Sequence, residues 1–316
     1  MRIASLLASG TELVCALGAG EELVARSHEC DFPAHVQRLP CVSEPTFDIT
    51  GSSRAIDLLV RAKLAAGEPL YSVDEARLAE LAPDVLLTQA HCEVCAVTPG
   101  NLGTGELCRK QVVALRAGTL DGILDGFAQV AVVIGREAAA IALVARIRER
   151  VAEVQHRTAD RRPPTIACLE WIEPLFHMGN WGPELVALAG GVNVLGTAGV
   201  HSAAMGWDEI RRADPEVLLV APCGFAIERT LTEMHLLAAQ SGWRELRAVR
   251  DGRVVVADGN LYFNRSGPSV FTSVEILAEV LHPEAFSPKH RAAWQRWPGE
   301  RPAPGSAPAI ASCRAP

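Results

Sequence analysis

The stretch that decides the fold is Leu81-Ala82-Pro83-Asp84-Val85-Leu86-Leu87, because almost the same pattern returns at Ala213-Asp214-Pro215-Glu216-Val217-Leu218-Leu219. Each copy ends a polar, helix-like run, turns at a proline and enters a short apolar strand. Each strand then opens into a loop with reactive side chains, at residues 89–92 in the first copy and 222–225 in the second. The repeat predicts two lobes of similar plan.

A second echo in the chain supports the duplication. The apolar run 3–7 leads to the helix-like run 12–18, and the run 166–169 leads to 184–190 in the same order. Alternation of strand and helix favours mostly parallel sheets that are covered on both faces. We therefore predict an α/β fold with two Rossmann-like lobes and a ligand cleft between them.

The longest periodic segment lies between the two copies. Apolar residues recur at three- and four-residue steps from about residue 119 to 159, which predicts one long α-helix joining the lobes, softened at Gly135. At 1.5 Å per residue such a helix is roughly 55–60 Å long. The predicted organisation is an N-terminal lobe at 1–118, the connecting helix at 119–160, a C-terminal lobe at 161–286 and a disordered Pro-rich tail at 287–316.

Bulk composition excludes some classes of partner. The net charge of −7 argues against nucleic acid. No run approaches the ~20 apolar residues of a membrane helix, so we expect no membrane insertion. The apolar run after Met1-Arg2 is too short for a signal peptide and Glu12 interrupts it, which favours a cytoplasmic location. A periplasmic location is the alternative for a chain whose signal has been removed.

Cysteine and histidine suggest a metal site in the first lobe. The chain has nine cysteines, an odd count that fits a complete disulfide framework poorly. The run His91-Cys92-Glu93-Val94-Cys95 follows a predicted strand, and its spacing is typical of the first half of a zinc or iron site. The candidate metal ligands are His28, Cys30, His91, Cys92 and Cys95. The same residues also fit partly buried side chains that shape a loop, and both interpretations stay open.

Aromatic and polar residues after the strands of the second lobe suggest a ligand surface. Two tryptophans near a carboxylate suit a large, flat, partly polar ligand, although tryptophans at these positions also fit the lobe core. The loops after later strands add thiol, amide and aromatic groups. The candidate ligand-binding residues of both lobes are His28, Glu29, Trp171, Glu173, Trp181, Cys223, Phe225, Asn260 and Tyr262.

Common enzyme signatures are missing from the sequence. It contains no phosphate-binding G-x-x-x-x-G-K-[ST], no G-x-G-x-x-G after a strand, no G-x-S-x-G and no H-E-x-x-H. We assign no catalytic residues, and the sequence favours a binding protein over an enzyme.

Several stretches resemble the cobalamin-binding members of the ABC-transporter substrate-binding proteins, the class whose lobes are joined by one long helix. The resemblance covers roughly residues 1–285 and is carried by 3–6, by Thr11-Glu12-Leu13-Val14-Cys15-Ala16-Leu17-Gly18, by Ser27-His28-Glu29-Cys30-Asp31-Phe32-Pro33, by Gly190-Gly191-Val192-Asn193-Val194-Leu195-Gly196, and by 83–86, 243–254 and 258–260. The His/Cys-rich loops of this chain resemble those of a branch of the family whose members look cytoplasmic.

The resemblance implies a binding protein for cobalamin, another corrinoid or a related metal-containing ligand. It also implies an ABC-transporter permease as a partner if the chain is exported. The residues alone leave an alternative open. In that alternative the His/Cys residues of the first lobe hold zinc or iron, and the chain is a metal-dependent enzyme or a metal-handling protein.

Overall fold

The computed structural model describes residues 1–90, 94, 96–101 and 110–299. The strands of these residues are β1 (Ile3–Ser5), β2 (Leu23–Arg26), β3 (Ser43–Pro45), β4 (Tyr71–Val73), β5 (Val85–Gln89), β6 (Gln111–Leu115), β7 (Thr165–Trp171), β8 (Phe176–His177), β9 (Val192–Asn193), β10 (Val217–Val220), β11 (Val254–Ala257) and β12 (Trp294–Arg296). Their helices are α1 (Ala8–Ala16), α2 (Ser53–Ala66), α3 (Glu75–Leu81), α4 (Leu120–Ile134), α5 (Glu137–Thr158), α6 (Gly182–Leu188), α7 (Trp207–Ala213), α8 (Ile227–Leu231), α9 (Met234–Ala238), α10 (Arg247–Arg250) and α11 (Thr272–Leu281).

The two sheets repeat one topology. The first sheet has the order β2-β1-β5-β6 and is parallel throughout. The second contains the matching parallel set β9-β7-β10-β11, with β8 and β12 added as antiparallel strands. The repeated stretch forms β5 and β10, and each pairs in parallel with the first strand of its own lobe. The predicted α/β fold with two lobes of mostly parallel sheet is confirmed.

The repeated prolines mark the same local geometry in both lobes. α3 ends before Ala82 and α7 ends before Asp214, and both residues are left-handed, with φ of 43° and 37°. A left-handed residue followed by proline stops a helix, because proline cannot continue the hydrogen-bond ladder. Every residue of the strands that follow, β5 and β10, is buried, as expected for parallel strands covered on both faces.

The lobes share a hydrophobic core on one side, which we call the base. One continuous cluster of buried side chains runs from Ile3 in the first lobe through Phe127 in α4 to Leu277 in α11. The rings of Phe127 and Phe271 meet edge to face at 6.3 Å between centroids. Because this core crosses from one lobe to the other, the base holds the lobes together.

The connection between the lobes differs from the predicted continuous helix. It consists of α4 and α5, which meet at Gly135. Gly135 is left-handed, with φ of 65°, and its N–H closes the last turn of α4 on Val132. Glycine adopts this conformation without a steric penalty. Gly135, which was predicted to lie inside one long helix, therefore ends α4.

A matched pair of glycine substitutions tests this break. Gly135→Ala is expected to lower the free energy of unfolding by about 1–2 kcal/mol, because a Cβ disfavours the left-handed backbone. Gly126→Ala lies inside α4, where a Cβ would make an ordinary 3.4 Å contact with Leu115. It is expected to raise stability by about 0.5–1 kcal/mol. Denaturant unfolding of both variants measures the difference, and effects of equal sign would contradict the assignment.

The predicted tail begins too early. β12 pairs antiparallel with β11, inside the stretch predicted to be disordered. Trp294 donates its Nε1 hydrogen to Glu279 at 2.9 Å, and the ring of Trp297 packs edge-on against Trp243 at 5.5 Å. These long-range contacts extend the second lobe to Trp297. Residues 300–316 lie outside the described residues.

In the described part of the chain, none of the helices combines the length and the apolar character needed to cross a lipid bilayer.

Candidate ligand-binding cleft

A cavity of about 100 Å³ lies between the lobes, on the side where both sheets end their strands. The first lobe lines it with the segments that follow β1 and β2, including Ser9 and Glu29, and with Gln89 at the end of β5. The second lobe lines it with the end of β7 and with the segments that follow β7, β10 and β11. Carboxyl ends of parallel strands are the usual ligand site of open α/β sheets, and here two such ends face each other.

An aromatic wall of the second lobe closes one side of the cavity. Trp181 is almost fully buried and donates its Nε1 hydrogen to the carbonyl of Phe263 at 2.6 Å. Asn180 and Phe263 flank this bond and both have positive φ, of 48° and 64°. Bulky side chains rarely adopt this conformation unless the surrounding structure imposes it, and such strain concentrates at functional sites. The wall is therefore held in shape by the hydrogen bond of Trp181 and by an unusual backbone conformation on either side of it.

Trp181→Phe tests the role of that hydrogen bond. The change removes the indole donor and leaves the buried carbonyl of Phe263 unpaired, which is expected to lower the free energy of unfolding by about 1–3 kcal/mol. Trp207→Phe is a matched control, because Trp207 is only partly buried and donates to Ser241 at an exposed site. We expect the control to lose less than about 1 kcal/mol. If denaturant unfolding showed equal losses of stability in the two variants, the hydrogen bond to Phe263 would not stabilise the fold more than an exposed one.

Glu29 places a carboxyl group at the cavity without a described partner. It follows β2, it lines the cavity, and its side chain makes no hydrogen bond to a described residue. Burial raises the pKa of Glu29 to about 7, and the nearby Arg265 only partly offsets this effect. The group is therefore ready to exchange hydrogen bonds with a ligand.

An ion pair joins the lobes beside Glu29. Arg265 of the second lobe donates to Asp31 of the first lobe at 2.6 Å and to the side-chain oxygen of Asn260 at 2.8 Å. Asn260 in turn donates to the other oxygen of Asp31 at 2.7 Å. Burial alone would raise the pKa of Asp31, but the hydrogen bond and charge of Arg265 outweigh it and keep the pKa below its usual value. The three residues close a polar ring across the cleft.

Near the base, Glu12 of α1 binds the first turn of a short 3-10 helix, Pro268–Phe271, which precedes α11 in the other lobe. Its Oε1 atom accepts hydrogen bonds of 2.6 Å from both the backbone N–H and the hydroxyl of Ser269. Its Oε2 atom is buried without a partner. Burial raises the pKa of Glu12 to about 7, against the lowering effect of the Ser269 hydrogen bonds.

On the opposite side of the cleft, which we call the mouth, a carboxylate of the second lobe binds the start of a helix in the first lobe. Glu233, which is 4% exposed, accepts the backbone N–H of Ser53 in the first turn of α2 at 3.0 and 3.1 Å. Trp171 donates to the carbonyl of Ser53 at 3.2 Å, and Arg229 donates to that of Gly51. Carboxylates near helix N-termini are favourable because the backbone N–H groups there lack partners. Each lobe thus caps a helix of the other, and the cleft is closed at both ends.

The structure divides the predicted ligand-binding residues into two groups. Those that line the cavity are Glu29, Trp181, Cys223 and Asn260. Trp171, Glu173 and Phe225 lie instead at the mouth: Glu173 pairs with Arg54 at 3.1 Å, and the rings of Trp171 and Phe225 lie 5.1 Å apart. Trp171 and Glu173 contact the first lobe, Phe225 packs against Trp171, and none of the three lines the cavity.

Two further predicted ligand contacts point elsewhere. Tyr262 is partly buried and packs against the shared core. The Nδ1 atom of His28 lies 3.0 Å from the hydroxyl of Ser43, and the ring of His28 packs against Tyr71 at 5.1 Å. Burial, and then the nearby Arg26, lower the pKa of His28. Neither residue is part of the cavity lining.

The predicted metal ligands do not converge within the described residues. The Sγ atom of Cys30 is buried in the first lobe among Thr11, Ser27 and Ser5, away from the partners of His28. Burial raises the pKa of its thiol despite the hydrogen bonds from Ser27 and Thr11. His91, Cys92 and Cys95 lie outside the described residues. In the part of the chain that the structure describes, no group of three His, Cys, Asp or Glu side chains is arranged to hold a metal.

Several cavity residues were not in the predicted set. Ser9, Asn264, Arg265 and Ser266 all line the cavity. The last three lie in the same strand-to-helix loop as the predicted residues Asn260 and Tyr262, and of these two predicted residues only Asn260 lines the cavity. Ser9 follows β1, and its position after the first strand of a lobe was the available signal.

Comparison with known proteins agrees with this architecture. The profile of the family described as "Periplasmic binding protein" matches residues 3–261. The chain belongs to the periplasmic binding protein family. The match covers the parallel strands of both sheets and the cavity residues up to Asn260. No curated protein sequence matches the chain.

Solved structures share the fold at low sequence identity. A periplasmic heme-binding protein from Pseudomonas aeruginosa is similar with a TM-score of 0.70 and 20% identity, over 92% of this chain and 96% of that one. An ABC transporter substrate-binding protein from Listeria monocytogenes gives 0.67 and 17%, over 89% and 98%. The periplasmic vitamin B12-binding protein BtuF of Vibrio cholerae gives 0.61 and 19%, over 89% and 96%. At these identities the similarity shows the fold.

Proposed function

We propose that the chain binds a corrinoid, such as cobalamin, or a related metal-containing macrocycle between its lobes. The observation that carries the proposal is the cavity at the facing strand ends of the two sheets, with the aromatic wall on one side and polar groups around it. An aromatic face supplies contact area for a flat ring, and polar groups fix its orientation. The similar structures whose titles name vitamin B12 or heme support this class of ligand.

The size of the cavity requires that the lobes separate. At about 100 Å³ it holds a few water molecules, whereas pockets for larger ligands measure about 300–1,000 Å³. The mouth is held by hydrogen bonds to Gly51 and Ser53 and by one exposed ion pair of Arg54, without a continuous hydrophobic core among the described residues, whereas the base is a packed core. We therefore propose that the cleft opens at the mouth and that the base acts as the fixed side.

Binding can be tested with the purified chain and three coloured ligands. Cyanocobalamin, cobinamide and hemin each change their visible spectrum when the metal or ring changes environment. We expect at least one corrinoid to bind and to stabilise the fold by about 2.7 kcal/mol at a ligand concentration of 100 Kd. The Trp181→Ala variant should bind more weakly. A chain whose unfolding is unchanged by saturating amounts of all three ligands would contradict the proposal.

The cellular location and the partner belong to the same proposal. The described cysteines Cys15, Cys30, Cys41, Cys168 and Cys223 are all free thiols, which supports work in a reducing compartment such as the cytoplasm. If the chain is instead exported, its family makes an ABC-transporter permease the expected partner. Cell fractionation with an antibody separates the two cases.

A further inference from the structure

We propose that the cleft selects ligands that present N–H donors, such as the primary amides of a corrin ring, and discriminates against ligands that present carboxylates. This selectivity rests on the proposed function, because it concerns the ligand of the same cavity. The evidence for this selectivity is that the one arginine of the described lining is paired with Asp31, whereas several acceptors have no described donor. Glu29 and Asp31 are the residues that determine the selectivity.

The positive charge of the cavity is already matched. Among the lining residues that the structure describes, Arg265 is the only arginine or lysine. Its side chain is 11% exposed and is bound to Asp31 at 2.6 Å and to Asn260 at 2.8 Å. A ligand carboxylate would therefore have to compete with Asp31 for this guanidinium. Two further lining residues, Glu29 and Glu170, carry carboxyl groups of the same sign as such a ligand.

Unused acceptors remain around the same cavity. The side-chain amide of Asn264 donates hydrogen bonds to the carbonyls of Ala221 and Gly259, at 2.9 and 3.1 Å. This fixes the orientation of the amide and leaves its Oδ1 atom as an acceptor without a described donor. The carboxyl oxygens of Glu29 are likewise without a hydrogen-bond partner among the described residues.

These two observations define the ligand chemistry. Acceptors at a cavity that have no protein donor can accept hydrogen bonds from a ligand, and a primary amide supplies two N–H donors per group. A carboxylate supplies none, and it meets like charge in a cavity whose cation is neutralised. Juxtaposed like charges at an interface cost several kcal/mol, so the discrimination should be easy to measure.

A matched pair of corrinoids tests the selectivity. Cobinamide carries primary amides around the corrin ring, and cobyrinic acid carries carboxylates at the corresponding positions on the same cobalt-containing ring. At pH 8 we expect the Kd of cobyrinic acid to exceed that of cobinamide by at least about tenfold, which corresponds to about 1.4 kcal/mol. The ratio of the two Kd values is the readout, because it cancels general effects on the stability of the closed cleft.

Two variants, Asp31→Asn and Glu29→Gln, are expected to lower the ratio of the Kd of cobyrinic acid to that of cobinamide. Asp31→Asn releases the charge of Arg265, and Glu29→Gln removes a like charge and adds a donor. Each is expected to lower the ratio by about three- to tenfold, mainly by tighter binding of cobyrinic acid. Asp208→Asn is the control, because Asp208 is 77% exposed and pairs with Arg211 on the surface. Its ratio should equal that of the unchanged chain.

The outcomes separate this inference from the proposed function. Equal affinities for the two corrinoids, or tighter binding of cobyrinic acid, would overturn the selectivity and leave corrinoid binding intact. An unchanged ratio in Glu29→Gln would also overturn it, even if Asp31→Asn fails to fold. Absence of binding by both corrinoids would overturn the proposed function, and the selectivity with it.

Discussion

Replacing Arg265 with alanine is expected to lower the free energy of unfolding by about 2–4 kcal/mol, one of the two largest effects predicted here. The guanidinium is 11% exposed and joins the second lobe to Asp31 of the first. Its removal leaves Asp31 and Glu29 close together without their compensating charge, and it leaves the side-chain oxygen of Asn260 without its donor. The expected loss lies below that of a fully buried pair, because Asp31 keeps 39% of its side-chain surface.

A surface ion pair provides the control for this variant. Arg211→Ala breaks the pair with Asp208, whose side chains are 47% and 77% exposed. Exposed pairs contribute about 0–1 kcal/mol, so this variant should unfold at nearly the same denaturant concentration as the unchanged chain. If Arg265→Ala behaves like Arg211→Ala, the polar ring across the cleft does not stabilise the closed form.

The second large effect is the loss, between pH 5 and pH 8, of the stability that Glu12 contributes. Burial raises the pKa of Glu12 from its ordinary value of 4.5 to about 7 in the folded chain. Its protonated form is therefore favoured by folding, and the associated stability is fully present below pH 4.5 and is lost as the pH rises through 7. Over this window Glu12 should account for a decrease of about 2–3 kcal/mol in the free energy of unfolding.

Glu12→Gln should remove this part of the pH dependence. Glutamine cannot ionise, and its side-chain oxygen can still accept from Ser269. Glu29 contributes in the same direction, since burial also raises its pKa to about 7, so the variant keeps part of the slope. The lowered pKa of Glu216, about 2, acts only as the pH falls below 4.5 and leaves the window unaffected. Denaturant unfolding at pH 5, 6, 7 and 8 measures the slopes, and identical slopes for both chains would refute the assignment to Glu12.

Local sequence signals were sufficient for the fold. The repeated turn-and-strand pattern depends on neighbouring residues, and it placed β5 and β10 correctly because a proline and a buried apolar run act locally. Gly135 was recognised as a weak point, but the sequence does not show whether glycine inside a periodic run is helical or left-handed. The tail boundary was missed because Trp294 is held by Glu279, fifteen residues earlier and in another element.

The site was harder to predict because its contacts are nonlocal. Asp31 and Arg265 are 234 residues apart, and Ser53 and Glu233 are 180 apart. No spacing rule connects such pairs. Trp171 ends β7 and Trp181 lies shortly after it with the same chemistry, yet Trp171 closes the mouth and Trp181 lines the cavity. The sequence placed both after the strand, and only the three-dimensional path of the chain between them decides which one meets a ligand.

The most direct test of the cleft as the ligand site is the alkylation rate of Cys223, followed by peptide mass spectrometry. Cys223 lines the cavity, and Cys41 is exposed elsewhere on the first lobe and serves as an internal control. With a bound corrinoid at ten times its Kd, alkylation of Cys223 should slow by about tenfold while that of Cys41 is unchanged. An unchanged rate at Cys223, with binding established from the spectrum of the corrinoid, would contradict the account.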